Sequence, residues 1–165
     1  MRVMGVDPGS AVTGFGVVER GHSLRLIAAG TIRPGAGERG SLRLATIYGR
    51  LIETIDELAP EAISLERSFV AINVQSAFRL GEARAMAMLA AAHRGLELFE
   101  YTPTDVKLSI AGHGRADKSQ VKYMVGRTLE TAAVAGMADD AADALAVALC
   151  HLFRMKMPTR VTALR

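Results

Sequence analysis

The chain has little of what small secreted or membrane-bound proteins depend on. Among 165 residues there is one cysteine and no tryptophan, and aromatic residues make up 5%. A lone thiol, Cys150, forms no intrachain disulfide, so the fold rests on its core and suits a reducing compartment. A chain of this length buries roughly 70% of its unfolded surface, enough to need no staples. The longest apolar stretch, Ala85 to Ala92, is far shorter than the roughly 20 residues that span a bilayer. No charged and apolar leader with a cleavage site opens the sequence. The expectation is a soluble, cytoplasmic protein without a membrane partner. There is also no internal repeat and no linker, so residues 1–155 read as one domain and 156–165 as a basic tail, where Lys156, Arg160 and Arg165 meet no acid.

What is present is half hydrophobic and 22% charged, with a net charge of +3 and a pI near 9.3. That permits a nucleic-acid partner without demanding one. Local charge says more. Lys107, Arg115, Lys118, Lys122 and Arg127 fall in one segment against the single Asp117.

Hydrophobic patterning predicts strands at Met1–Val6, Thr13–Glu19 and Ser23–Ile32, the last two joined as a hairpin by Arg20-Gly21-His22. Helix 41–58 follows, with Ser41 as its N-cap and Pro60 beyond its end. Short apolar strands at Ala62–Glu66 and Leu96–Tyr101 alternate with a long helix from Asn73 to His93. Helices at 103–110, 118–130 and 139–153 close the chain. Three meandering strands followed by alternating strands and helices give an α/β fold: a five-stranded mixed sheet flanked by helices. The right-handed crossover rule sets the fourth and fifth strands parallel to the first.

Asp7 and Glu66 then end parallel neighbouring strands, at the sheet edge where open α/β sheets build sites. The last helix opens with Asp139, Asp140 and Asp143. Residues three or four apart share a face, so Asp143 converges with either Asp140 or Asp139. Acids gathered at one point repel one another unless a cation neutralises them, and an all-oxygen set favours Mg²⁺ or Mn²⁺. The bland alternative is that the Asp pair caps the helix and Asp7 belongs to the Asp7-Pro8-Gly9 turn. His151 lies about three helical turns beyond Asp140 and reads as structural.

Several motifs in order resemble one family. They are Gly5-Val6-Asp7-Pro8-Gly9-Ser10 with Thr13-Gly14-Phe15-Gly16; Leu65-Glu66-Arg67-Ser68-Phe69; Asn73-Val74-Gln75-Ser76-Ala77 with Leu80-Gly81-Glu82-Ala83-Arg84; Tyr101-Thr102-Pro103 with Val106-Lys107; Gly112-His113-Gly114-Arg115-Ala116-Asp117-Lys118; and Asp140-Ala141-Ala142-Asp143. Together they resemble the RuvC-type Holliday junction resolvases along nearly the whole chain. The resemblance implies an RNase H-like fold and a structure-selective endonuclease. Such an enzyme cuts four-way DNA junctions by paired symmetric nicks in recombination and repair. It implies Mg²⁺, two ions per site with Mn²⁺ as a substitute, held by Asp7, Glu66, Asp140 and Asp143, which leaves Asp139 as a cap. It places Lys107 and Lys118 beside the scissile phosphate. It also implies a homodimer, with the RuvA–RuvB branch-migration complex as a candidate partner. Glu82 stands where the family leads us to expect an amide, and Ala85 where it leads us to expect glycine.

Candidate DNA contacts are Phe69, weighed between a core aromatic and a base-stacking ring, Asn73, weighed against an N-cap, and Arg67, Arg84, Arg115 and Lys122. The helix 73–93 carries two apolar stripes, Val74, Phe78, Ala85, Leu89 and Ala92 beside Ala77, Leu80, Arg84 and Met88. That surplus implies burial from two sides, one by a second subunit. Two other functions compete. The stretch from Asp7 to Gly14 also resembles the first phosphate loop of actin-like ATPases and sugar kinases, implying half of an ATP-binding phosphotransferase. A non-catalytic junction-binding module is the other alternative.

Overall fold

A computed structural model of the chain describes residues 1–9, 11–67 and 74–155. Its strands are β1 (Arg2–Asp7), β2 (Thr13–Arg20), β3 (Leu24–Ile32), β4 (Ala62–Glu66) and β5 (Glu97–Tyr101). Its helices are α1 (Ser41–Leu58), α2 (Val74–His93), α3 (Pro103–Ala111), α4 (Lys118–Thr128) and α5 (Asp139–Arg154). The sheet order is β3-β2-β1-β4-β5. β1 pairs antiparallel to β2 and parallel to β4, and β4 pairs parallel to β5. This is the mixed sheet that the alternation of elements predicts. The helix expected to reach Glu130 ends at Thr128, with Glu130 itself at φ 50°, and a short 3-10 turn follows at Ala132–Gly136.

The sheet separates two cores. Side chains alternate across a strand, and β1 obeys this. Met4 and Val6 pack with Ile47, Leu51 and Ile55 of α1 and with Ala83, Ala87 and Ala90 of α2. Val3 faces the other way, into a core filled by α3, α4 and α5. Gly5 lies on that second face too. A Cβ there would strike the carbonyl oxygen of Ala144 and come within 2.8 Å of the Ala148 nitrogen. At Gly14 of β2 a Cβ would strike the carbonyl of Asp140. The missing side chains let α5 lie directly on the strands, and Ala141, Ala144 and Ala148 answer them with small residues of their own.

Two caps differ from expectation. Ser41 is the first residue of α1, and Gly40, at φ 54°, precedes it without a side-chain cap. Asp139 likewise sits inside α5, after Ala138, and makes no cap bond. Among the described α-helices, the side-chain N-caps that do form are Thr102 and Asp117. Each accepts a hydrogen bond from a backbone N–H three residues on, and each is answered by Asp105 or Gln120 in a capping box.

Candidate active site

The alternation that turns Gly5 toward α5 turns Asp7 the same way. In β4, Ile63 and Leu65 belong to the α1–α2 core, so Ser64 and Glu66 face α5. The parallel register pairs Val6 with Leu65, which sets Asp7 and Glu66 abreast at the carboxyl ends of adjacent strands. α5 approaches with its N-terminal turn against β2, because Gly14 leaves room for the backbone at Asp140. Asp143 follows one turn along the same face.

These side chains share a cleft of about 310 Å³ lined by Asp7, Glu66, Lys107, Lys118 and Asp143, with Pro103, Val106, Val121 and Ala146 as its apolar wall. Asp7 is pushed up to about 7 from the usual 3.8. Burial is the largest cause, followed by the charges of Glu66, Asp143 and Asp140 in that order, with Lys118 opposing. Asp140 therefore acts on Asp7 less strongly than the other two acids, and it does not line the cleft. As the side chains stand, no three acid, histidine or cysteine groups among the described residues close to ligand distance. Mutual repulsion keeps like charges apart, and here a lysine intervenes instead. Lys118 donates to Asp143 Oδ2 at 2.9 Å, and that bond raises its ammonium above the ordinary lysine range. An all-carboxylate donor set at which ionisation is this unfavourable fits a hard divalent cation.

Two helix starts deliver the lysines. The Thr102 cap with Pro103 begins α3 directly after β5 and brings Lys107 to the cleft. The Asp117 cap makes Lys118 the first residue of α4. Asp117, the single acid of the basic segment, is thus explained as a cap. The sequence signal for it was the Asp-x-x-Gln spacing.

The remaining predicted residues divide. Lys122 donates to Asp139 at 2.9 Å and to the Met137 carbonyl at 2.6 Å. It ties α4 to the start of α5 and corrects Asp139 from cap to ion-pair partner. Arg84 is ion-paired with Glu100 of β5. Neither Arg84 nor Lys122 is a free surface cation, so each would meet DNA with part of its donor capacity already engaged. Arg115 is exposed, and so is Arg67, whose backbone N–H extends the β4–β5 ladder to Tyr101 at 2.7 Å. Phe69, Asn73 and the tail 156–165 lie outside the described residues. His151 is buried, as expected of a structural residue, with Nδ1 2.7 Å from the Tyr101 hydroxyl. Cys150 is buried too.

Sequence reasoning missed Gly5 and Gly14, which carry no chemistry but admit the helix that does. It also missed the tie at Glu82. That carboxylate bonds Arg43 at 3.4 Å, and Arg43 reaches toward the Gly9 carbonyl at 3.5 Å, in the turn after Asp7. Size does not mark the site. A larger groove of about 710 Å³ runs between α4 and the 3-10 turn, past Tyr123 and Arg127, and has Glu130 as its single acid.

A family model described as "Crossover junction endodeoxyribonuclease RuvC" matches residues 3–151. Curated relatives with that description include one from Pelotomaculum thermopropionicum, 47% identical over 92% of this chain and 92% of its own length. One from Halorhodospira halophila is 45% identical over 95% and 93%. Among solved structures, Thermus thermophilus RuvC in complex with Holliday junction substrate aligns at a TM-score of 0.86, with 33% identity over 93% of each chain. The yeast mitochondrial Holliday junction resolvase, at 13% identity and a TM-score of 0.63 over 92% and 78% of the two chains, shares the fold.

Proposed function

The chain belongs to the RuvC family of crossover junction endodeoxyribonucleases, and from that premise we propose that its carboxylate cleft cuts four-way DNA junctions by metal-assisted phosphodiester hydrolysis. The observation that carries this reading is the convergence of Asp7, Glu66 and Asp143 on one cleft, with Asp7 raised to about 7 by burial and by its acidic neighbours. Asp7, Glu66, Asp143 and the outlying Asp140 would hold Mg²⁺, two ions by preference, with Mn²⁺ able to replace them. Bound there, the metal supplies an activated water and neutralises the leaving oxygen. The chain's own residues do the rest. Lys107 and Lys118 set point charges where the phosphate gains negative charge during attack. The exposed Arg67 and Arg115 hold the backbone of the DNA. The ring of Phe69 stacks on an unpaired base at the junction, worth roughly 1–3 kcal/mol per base.

We further propose a homodimer built on α2, acting in the cytoplasm, with a RuvA–RuvB complex as its partner. Val74 at 73% and Phe78 at 69% exposure, with Met88 and Leu89, leave an apolar face that no described residue covers. A two-fold assembly gives two clefts and hence paired nicks. The phosphotransferase alternative is not favoured, since the family match spans residues 3–151. An intact acidic set likewise disfavours a binding module without catalysis. The deciding experiment is cleavage of a synthetic four-way junction with and without Mg²⁺. Paired symmetric nicks that need the metal support the reading, and an unchanged junction in Mg²⁺ refutes it.

A further inference from the structure

The contact between Lys118 and Asp143 bears on how this site is loaded. Lys118 is the first residue of α4, its side chain is 77% exposed, and it reaches inward to an Asp143 that is only 22% exposed. The arm is therefore long and largely solvated, while its partner is fixed on a helix packed against the sheet. Lys107 lines the same cleft but makes no ion pair among the described residues. One cleft thus holds two lysines in different states, one bound to a carboxylate and one not.

We infer that Lys118 is a built-in counter-cation that a divalent ion displaces from Asp143 by charge repulsion, so that loading the metal and freeing the ammonium for the phosphate are one event. This rests on the metal-site reading given above. Asp143 Oδ2 accepts from Lys118 at 2.9 Å, so the ammonium's positive charge stands beside the carboxylate that a divalent ion would approach. In the loaded protein the ammonium and the ion would repel at close range, which drives the arm outward. Freed from Asp143, the exposed ammonium is available to an arriving phosphate, which brings back the negative charge that it has just lost. Two consequences follow. The DNA-free protein binds metal more weakly than its carboxylates alone would. Lys118 is also held in place, ready for substrate, without adding an unpaired charge to the empty cleft.

The test is Mn²⁺ affinity of the full DNA-free chain at low salt, read from the free-ion electron paramagnetic resonance signal. Removing the charge with Lys118→Met should tighten Mn²⁺ binding about fivefold, a modest figure because the arm is solvated and screened. Lys118→Arg should keep the parental affinity, which separates charge from any effect of the side chain on folding. Lys107→Met should change affinity less than about twofold, because no contact has to be surrendered. Unchanged or weaker binding by Lys118→Met would overturn the inference. Equal tightening by both Met variants would also overturn it, since the cleft's overall charge and not the Asp143 contact would then be responsible. Mn²⁺ binding that survives Asp7→Asn would fault the metal-site reading beneath it and take the inference with it.

Discussion

Helices α2 and α5 are both rich in alanine, yet they stand in opposite relations to the sheet. In α5 nearly every residue from Ala141 to Leu152 is buried, and the helix rests on glycines of β1 and β2. In α2 only Ala83, Ala87, Ala90 and Ala91 are buried, while the larger apolar residues Val74, Phe78, Met88 and Leu89 point away from the sheet. The stripe Val74, Phe78, Ala85, Leu89 and Ala92, read from the sequence as one of two apolar stripes on a helix buried from two sides, one of them by a second subunit, is exposed along its whole length in the single chain, and a face of alanines seats the helix on the sheet. Small residues therefore serve two ends. On α5 they let Asp140 and Asp143 approach the strands closely. On α2 they anchor the helix so that its bulk is presented outward, to a second copy in our reading.

The strongest way to break this contrast is to deny α5 its approach. Gly5→Val puts branched carbon against the Ala144 carbonyl, and backbone cannot yield as a flexible side chain can. We expect a loss of about 3 kcal/mol or more in urea unfolding, or no folded protein at all. Near-parental stability would show that α5 does not lie as close as described.

Asp7→Asn should lower junction cleavage by about 10²–10³-fold, the scale of losing one preorganised electrostatic partner, while junction binding measured by gel shift persists. Its effect on stability has the opposite sign. Asp7 is raised from 3.8 to about 7 in the fold, so the native state binds more protons than the unfolded state between those values. Metal-free stability is then full below about pH 4, falls as pH rises toward 7, and levels off above it. Asparagine removes that slope. Above pH 7 the variant should be more stable than the parent by on the order of 2–4 kcal/mol, at about 1.4 kcal/mol per pKa unit. Parallel pH profiles for the two proteins would contradict this account.

On α2, Phe78→Glu should weaken self-association by about 100-fold, the size of a central interface residue. Because Phe78 is 69% exposed in the single chain, the monomer's own unfolding should barely change. Sedimentation velocity across a concentration series reads the first effect and denaturant unfolding at high dilution the second. A variant that stays dimeric would move the interface elsewhere.

The smallest effects belong to the lysines that face the acidic end of α5. Lys107→Ala and Lys118→Ala should each slow single-turnover cutting about tenfold at saturating enzyme, with affinity nearly unchanged. If each variant instead cuts at the parental rate once saturated, and only its salt slope falls, both residues are simple phosphate contacts.

Much of the site was legible because strand periodicity is strict. A carboxylate closing each of two parallel strands can only emerge at one edge, and Asp7 and Glu66 do so. The acids of α5 were legible only as a choice. Helical spacing allows Asp143 to pair with either Asp139 or Asp140, a choice that only the family resemblance narrowed to Asp140. In the structure the charge of Asp140 acts on Asp7, while Lys122 engages the other neighbour, Asp139. The basic residues were least legible, because a positive charge in a sequence does not show its partner. Arg84 is spent on Glu100 and Lys122 on Asp139, whereas Arg115 is exposed.

By itself the sequence determined the order of elements, the parallel setting of β1, β4 and β5, and the edge at which their acids gather. These follow from local periodicity, turn chemistry and the handedness of crossovers, none of which needs distant contacts. Only the tertiary structure decided how near α5 comes to the sheet, which aspartate Lys122 takes, and that Lys118 rests on Asp143. Each of these depends on groups far apart in the chain meeting within a few ångströms. Sequence spacing does not encode such distances, because packing settles them: the glycines at 5 and 14 leave a space, and the helix fills it.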